Sequence, residues 1–205
     1  MTKEKKRDMI LVGGITGSGK TFFTNNLSFD YPRVIILSPI EADEDEYDGV
    51  MAEDFDDLVD KIDDAVKDGK KNWRFKLSDL SEVDTVYSFV YDLGNEVDGL
   101  LVVVEEAEAT IPIGNAQSLS TPFRNLLYRG RHPQVSMIFA VQRFTLLNMN
   151  VRSQCRRFIS FMQDEPDDIS WLYRKTGRRE VLDVLPELEP RQYIDINRRE
   201  FSIHK

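Results

Sequence analysis

The octet Gly14-Ile-Thr-Gly-Ser-Gly19-Lys20-Thr21 constrains this chain more than any other stretch, because it matches G-x-x-x-x-G-K-[ST] at every fixed position. The chemistry needs this spacing. Glycines let a backbone wrap an anion without Cβ clashes, and successive N–H groups then turn inward. A helix that starts at the anion aims its positive dipole end at it. On this reading Gly14, Thr16, Gly17, Ser18 and Gly19 cradle phosphates. Lys20 reaches the β and γ phosphates, and the Thr21 hydroxyl ligates Mg²⁺. The context agrees: Met9–Val12 is a short apolar strand running straight into the motif, and a helix is expected from there to about Leu27. The loop alone implies nucleotide binding. Kinases, GTPases and motor ATPases all share it.

The rest of the chain alternates short buried strands with helices. Strands are expected at Val34–Leu37, Trp73–Leu77, Leu100–Val104, Val135–Val141 and Arg157–Met162. Between Glu41 and Asp68 an acidic run carries Phe55, Leu58, Val59, Ile62, Ala65 and Val66 at helical spacing, an amphipathic helix with an acidic outer face. Further helices are expected at Val83–Leu93, near Arg124–Tyr128, and at Asp168–Thr176, the last stopped by Gly177. The segment RQYIDINRREFSIHK alternates apolar and polar residues around an Asn-Arg pair, a terminal hairpin. Such alternation implies a mostly parallel, three-layer α/β sheet. The 205 residues suit one domain, with a core of about 8–165 and a C-terminal helix and hairpin over 166–205.

Leu100-Leu-Val-Val-Val104-Glu105-Glu106-Ala-Glu108 is an apolar strand ending in carboxylates. In a phosphate-loop fold the first carboxylate of such a strand end holds the metal shell, and the next can deprotonate water. Glu105 is thus assigned to Mg²⁺, standing where Asp is usual, and Glu106 to the water. The pair favours hydrolysis over transfer to a small molecule, and no N-K-x-D-like base motif marks a GTPase, so ATP is the expected nucleotide. Gln142 ends the following buried strand, where its amide can contact the γ-phosphate. Arg129 and Arg131, just before that strand, are candidate fingers for a neighbouring subunit's ATP, and Arg152 is a weaker one.

Composition excludes several classes. No apolar run approaches the ~20 residues of a membrane span, and the N-terminus lacks a signal-peptide core, so the expectation is a soluble protein without membrane insertion. One cysteine, Cys155, and two histidines exclude a disulfide framework and a Cys- or His-rich metal site. The net charge of −9 opposes nucleic-acid binding as a whole, but it is unevenly spread. Residues 1–110 balance to −14 and 111–205 to +5, and 111–163 hold seven arginines and no acid. That window can face phosphates or another subunit.

The order GGITGSGKT, LLVVVEEAEA, a GRH triplet, a strand ending AVQR, then VRSQCRRFISF resembles the FtsK–HerA superfamily of DNA-pumping ATPases. Within it, the chain looks most like the viral genome-packaging ATPases of internal-membrane, double-jelly-roll viruses and poxviruses. The resemblance covers roughly residues 8–165. It implies a three-layer, RecA-like P-loop ATPase with a mostly parallel sheet and C-terminal hairpin. It also implies an ATP- and Mg²⁺-dependent ring, commonly a hexamer, that moves double-stranded DNA into a preformed capsid. Its place would be the host cytoplasm, at a capsid vertex or in the virion. The segment IPIGNAQSLSTP (111–122) is the candidate pore loop. The alternatives are a conjugation, repair or phage-assembly ATPase of the same superfamily, a small-molecule kinase using RKTGRR (174–179) as a lid, and a non-hydrolysing nucleotide-binding regulator.

Overall fold

A computed structural model describes residues 7–39, 48–197 and 200–204. Its strands are β1 (Met9–Gly13), β2 (Arg33–Leu37), β3 (Val50–Ala52), β4 (Trp73–Leu77), β5 (Leu100–Val104), β6 (Ser136–Val141), β7 (Arg157–Ser160), β8 (Tyr193–Asn197) and β9 (Glu200–His204). The helices are α1 (Lys20–Ser28), α2 (Phe55–Lys67), α3 (Val83–Leu93), α4 (Ala107–Thr110), α5 (Thr121–Arg129), α6 (Met149–Gln154), α7 (Pro166–Thr176) and α8 (Glu180–Val184).

All nine strands share one sheet in the order β3-β4-β2-β5-β6-β1-β7-β8-β9. The first seven positions run parallel, and β8 and β9 add an antiparallel edge. The central strand is β6, held between β1 and β5, with Gly13 opposite Val141 and Val104 opposite Phe139. Both faces of these strands are covered, which is why they read as continuous apolar runs. Leu11, Ile35, Leu37 and Val102 face a core shared with Leu58 and Ile62 of α2, Val86 of α3, Leu126 of α5 and Leu172 of α7. Ile10, Val12, Val34, Ile36 and Val103 face the other way, against Phe23 and Leu27 of α1. The three-layer α/β arrangement read from the sequence is thus present.

Local signals account for most element ends. Asp54 caps α2 by accepting the Asp57 N–H, and Leu58, Ile62 and Ala65 are its buried stripe. The first part of the acidic run, 41–47, lies outside the described residues, as do 198–199 in the hairpin turn. The helix expected near Arg124 begins earlier, at Thr121. Ser120 caps it through the Phe123 N–H and Pro122 occupies its first turn, so residues that read as loop formers are start signals. The strand expected over Arg157–Met162 stops at Ser160. The three-residue β3 and the short helices α4, α6 and α8 carry too little periodicity to be seen in sequence. The hairpin is pinned to β7 by Arg157, whose Nη2 meets Asp195 Oδ2 at 2.7 Å.

The GRH triplet has a packing role. The guanidinium of Arg7 donates to the carbonyls of Val135 (2.6 Å), Leu127 (3.0 Å) and Leu126 (2.8 Å), closing the end of α5. Burial, helped by nearby Arg131, lowers its pKa to about 10. Gly130 lies beneath this clamp, where a Cβ would stand 2.3 Å from the Leu126 carbonyl oxygen and 3.0 Å from the guanidinium. Gly130→Ala is therefore expected to cost about 1–3 kcal/mol through overpacking. Urea unfolding checks this: the midpoint falls at unchanged slope, whereas an unchanged midpoint would show slack in the turn.

Candidate active site

Parallel strands open a crevice beyond their carboxyl ends. Here a cleft of about 560 Å³ is lined by Thr16, Gly17, Gly19, Lys20, Thr21, Phe22, Ser38, Glu105, Glu106, Gln142 and Arg191. Residues from the glycine loop, the acidic strand end and the glutamine strand end, up to 126 positions apart in sequence, share one wall-to-wall space.

The loop is framed by backbone bonds. Gly14 N–H donates to Val141 O at 3.3 Å, Ile15 N–H to Met162 O at 3.2 Å, and Arg191 N–H to Ser18 O at 2.9 Å. Gly17 (φ 76°) and Gly19 (φ 104°) hold left-handed conformations that a side chain would strain. Gly14 and Ser18 are buried behind this wall, and a Cβ on Gly14 would come within 2.6 Å of the Phe161 Cβ. The nine-residue α1 starts at Lys20 with no acidic residue in its first turn, leaving its N-terminal field unopposed. Lys20 Nζ donates to Gly14 O (2.6 Å) and Ile15 O (2.9 Å). Burial lowers its pKa, while Glu105, Glu108 and Glu106 pull the other way.

On the facing wall Glu105 is buried, and its N–H donates to Leu37 O at 2.8 Å. Glu106 is half-buried at the start of α4 with φ 45° and ψ 47°, a left-handed conformation costing on the order of 1–3 kcal/mol in a non-glycine residue. Its Oε1 accepts from Gln142 Nε2 at 3.3 Å. Glu108 Oε1 accepts the Gln142 backbone N–H at 2.5 Å. Burial raises the Glu108 pKa above the usual carboxylate range, and Glu106 adds to this while the Gln142 N–H opposes it.

The structure thus brings Thr16, Gly17, Gly19, Lys20, Thr21, Glu105, Glu106 and Gln142 together. It does not bring the arginines there. Arg129 ends α5 and Arg131 lies in the turn before β6, both exposed at the opposite edge of the sheet. Arg152 sits on α6 with its guanidinium 5.1 Å from the Trp171 ring centroid. Arg143 turns away from the cleft to the fully buried Asp168, with Nε 3.0 Å from Oδ2, and Thr145 N–H completes that carboxylate.

Sequence reasoning missed Ser38, Arg191, Phe22 and Glu108. Arg191 arrives from the far end of the chain in a left-handed turn (φ 71°), so the fold alone reveals it. Phe22, although visible beside the loop, is 67% exposed and separates the cleft from a hollow of about 400 Å³. That hollow shares Gly19, Phe22 and Arg191 with the cleft, adds Phe23, Phe161 and Tyr193, and has no acidic lining residue. A larger hollow of about 710 Å³ opens at the opposite sheet edge. Its arginines are already engaged, Arg33 with the Asp98 carbonyl and Arg157 with Asp195, so converging groups mark the site better than volume does.

The model of the Poxvirus A32 protein family matches residues 2–185. No curated protein matches the chain. Among solved structures, the genome packaging NTPase B204 from Sulfolobus turreted icosahedral virus 2 in complex with sulfate superposes with TM-score 0.76. It is 17% identical over 98% of this chain and 97% of that one. Its complex with AMPPCP gives TM-score 0.75 at 17% identity, over 97% of each chain. VirB4 of Thermoanaerobacter pseudethanolicus gives 0.61 at 13% identity, over 100% of this chain and 91% of that one. At these identities the likeness establishes the fold.

Lys20→Ala removes the cation whose Nζ bonds to the carbonyls of Gly14 and Ile15 in the phosphate loop. Affinity for AMPPCP is expected to fall on the order of 100-fold with the fold intact, since a charge-assisted phosphate contact is worth a few kcal/mol. Isothermal titration alongside thermal melting checks it; unchanged affinity would place the nucleotide elsewhere.

Proposed function

The chain belongs to the Poxvirus A32 protein family, and from that premise we propose that it is an ATP-hydrolysing motor that moves double-stranded DNA, packaging a viral genome into a preformed capsid. The observation that carries this reading is the shared cleft of Lys20, Thr21, Glu105, Glu106 and Gln142. A phosphate loop facing an acid and an amide is built to activate water. A small-molecule kinase needs an acceptor pocket and a lid instead, and Arg174 to Arg179 do not line this cleft.

Lys20 and the loop N–H groups bind and orient the β and γ phosphates. Glu106 accepts the proton of the attacking water, and Gln142, in contact with Glu106, orients that water and registers the γ-phosphate. Mg²⁺ takes oxygen donors and is usually held by one or two carboxylates with substrate phosphates. The Thr21 hydroxyl and the buried Glu105 carboxylate, on one cleft, fit that donor set. Bound there, the ion would neutralise phosphate charge. The aromatic hollow beside Gly19 suits the base of ATP, with Phe22 and Arg191 at its entrance.

Arg129 and Arg131 cannot serve their own cleft from the opposite sheet edge. In a ring, hexameric by the resemblance, they face the neighbouring subunit's nucleotide. The 1–205 chain then acts as one ATPase domain, with DNA passing the arginine-rich window and the loop 111–122, where Ile113 is 63% exposed. Work at a capsid vertex in the host cytoplasm belongs to the same reading. No helix among the described residues is long and apolar enough to cross a membrane.

ATP turnover with and without duplex DNA tests the proposal. Stimulation by DNA, accompanied by ring formation, is the expected result; one rate in both conditions from a protein that stays monomeric would remove the motor reading. Glu106→Gln is expected to keep ATP affinity while slowing hydrolysis about 10²–10⁴-fold. Arg131→Ala should be slow alone yet partly rescued in mixed rings with Glu106→Gln subunits, and absence of rescue would argue against a finger in trans.

A further inference from the structure

One carboxylate beside the cleft has no part in the proposed hydrolysis. Glu108 reaches across from α4 to the end of β6 and takes the Gln142 backbone N–H at 2.5 Å. Gln142 is the first residue beyond β6, so no neighbouring strand fixes it. Its carbonyl accepts from Nε2 of the fully buried Gln163 at 3.3 Å. Its side chain donates to Glu106 at 3.3 Å. Glu106 and Glu108 flank Ala107 at the start of the same four-residue helix. One short helix therefore carries both the carboxylate that meets the Gln142 side chain and the carboxylate that holds its backbone.

The cost of this arrangement argues against mere capping. Glu108 Oε2 is buried, and the backbone N–H groups of Arg143 and of Glu108 itself also lie toward this carboxylate. A buried carboxylate is a costly device for stability, where an amide or an apolar contact would serve better. It is a good device for tying two elements whose relative placement must be accurate. Gln142 is itself exposed, and Glu108 is the partner of its N–H, as Gln163 is of its carbonyl.

We propose that Glu108 is a positioning residue: by gripping the Gln142 backbone it sets the reach of the Gln142 side chain to Glu106, so that amide and base meet one water together. This rests on the hydrolysis reading above. It predicts that Glu108 acts through Gln142 and leaves nucleotide binding alone.

The test uses the full chain with Glu108→Ala, Glu108→Gln, Gln142→Ala and the double variant Glu108→Ala/Gln142→Ala. Glu108→Gln keeps an acceptor oxygen for the N–H. Two readouts are needed. Backbone amide exchange at Gln142, followed by NMR, should accelerate in Glu108→Ala and stay near wild type in Glu108→Gln. In ATPase assays Glu108→Ala should lower kcat about 10²-fold, the scale of a small misplacement at a reacting centre, with KM little changed. Glu108→Gln should restore most of kcat, and Gln142→Ala should add nothing in the Glu108→Ala background. Unaltered Gln142 exchange in Glu108→Ala, multiplying effects in the double variant, or a rise in KM at constant kcat would each overturn the proposal. If wild-type protein fails to hydrolyse ATP at all, the hydrolysis reading falls and the positioning role falls with it, while Gln142 exchange still reports whether Glu108 holds that backbone.

Discussion

Everything at the cleft depends on β6 being hydrogen-bonded between β1 and β5. That pairing brings three strand ends to one edge: Gly13 leading into the glycine loop, Val104 into the carboxylates, and Val141 into Gln142. It also supplies the floor of the loop, since the Gly14 N–H bonds back to the Val141 carbonyl. Were β5 to pair directly with β1, Glu106 would face the loop with no amide beside it. Met137, Ile138 and Phe139 of β6 are as fully buried as their neighbours in β1 and β5, so the inserted strand belongs to the core. The architecture thus separates two tasks: apolar burial on both faces holds the sheet, and the polar groups at its rim are left for chemistry.

Much of this was legible in the chain itself. The strands at Trp73–Leu77 and Leu100–Val104 and the helix at Val83–Leu93 occur where the patterning puts them, because burial on both faces and a clear helical stripe leave few alternatives. The phosphate loop was legible because its glycines answer a backbone requirement. Other parts depend on long-range contacts. Strand order lies in no local pattern, so the adjacency of Gln142 to Glu106 waited for the fold. Arg191 approaches the loop from 171 positions beyond Lys20. Glu108 looked like one more acid after a strand, and only its contact with the Gln142 N–H sets it apart.

The arginine-rich window shows how composition can mislead in detail while being right in outline. Its seven arginines read as one surface facing phosphates or another subunit. Four are occupied within the fold: Arg157 with Asp195, Arg143 with Asp168, Arg152 over Trp171, and Arg124 with the Thr121 hydroxyl. Arg129, Arg131 and Arg156 remain exposed. The apolar stripe of α2 packs against β3 and β4 and leaves its acidic face outward, at the far end of the sheet from the hairpin, so the opposing charges are separated in space as well as in sequence. A chain with net charge −9 can then present a local basic face to a polyanion while most of its surface repels one.

On this mechanism the loop, the carboxylates and the amide all serve one triphosphate and its metal. Diffraction from crystals grown with AMPPCP and Mn²⁺ probes that arrangement without an intermediary, because Mn²⁺ scatters anomalously and reports its own position. We expect a peak between Thr21 and Glu105, with the terminal phosphate facing Glu106 and Gln142. A metal peak or terminal phosphate remote from those two carboxylates, with the loop still occupied, would be incompatible with it.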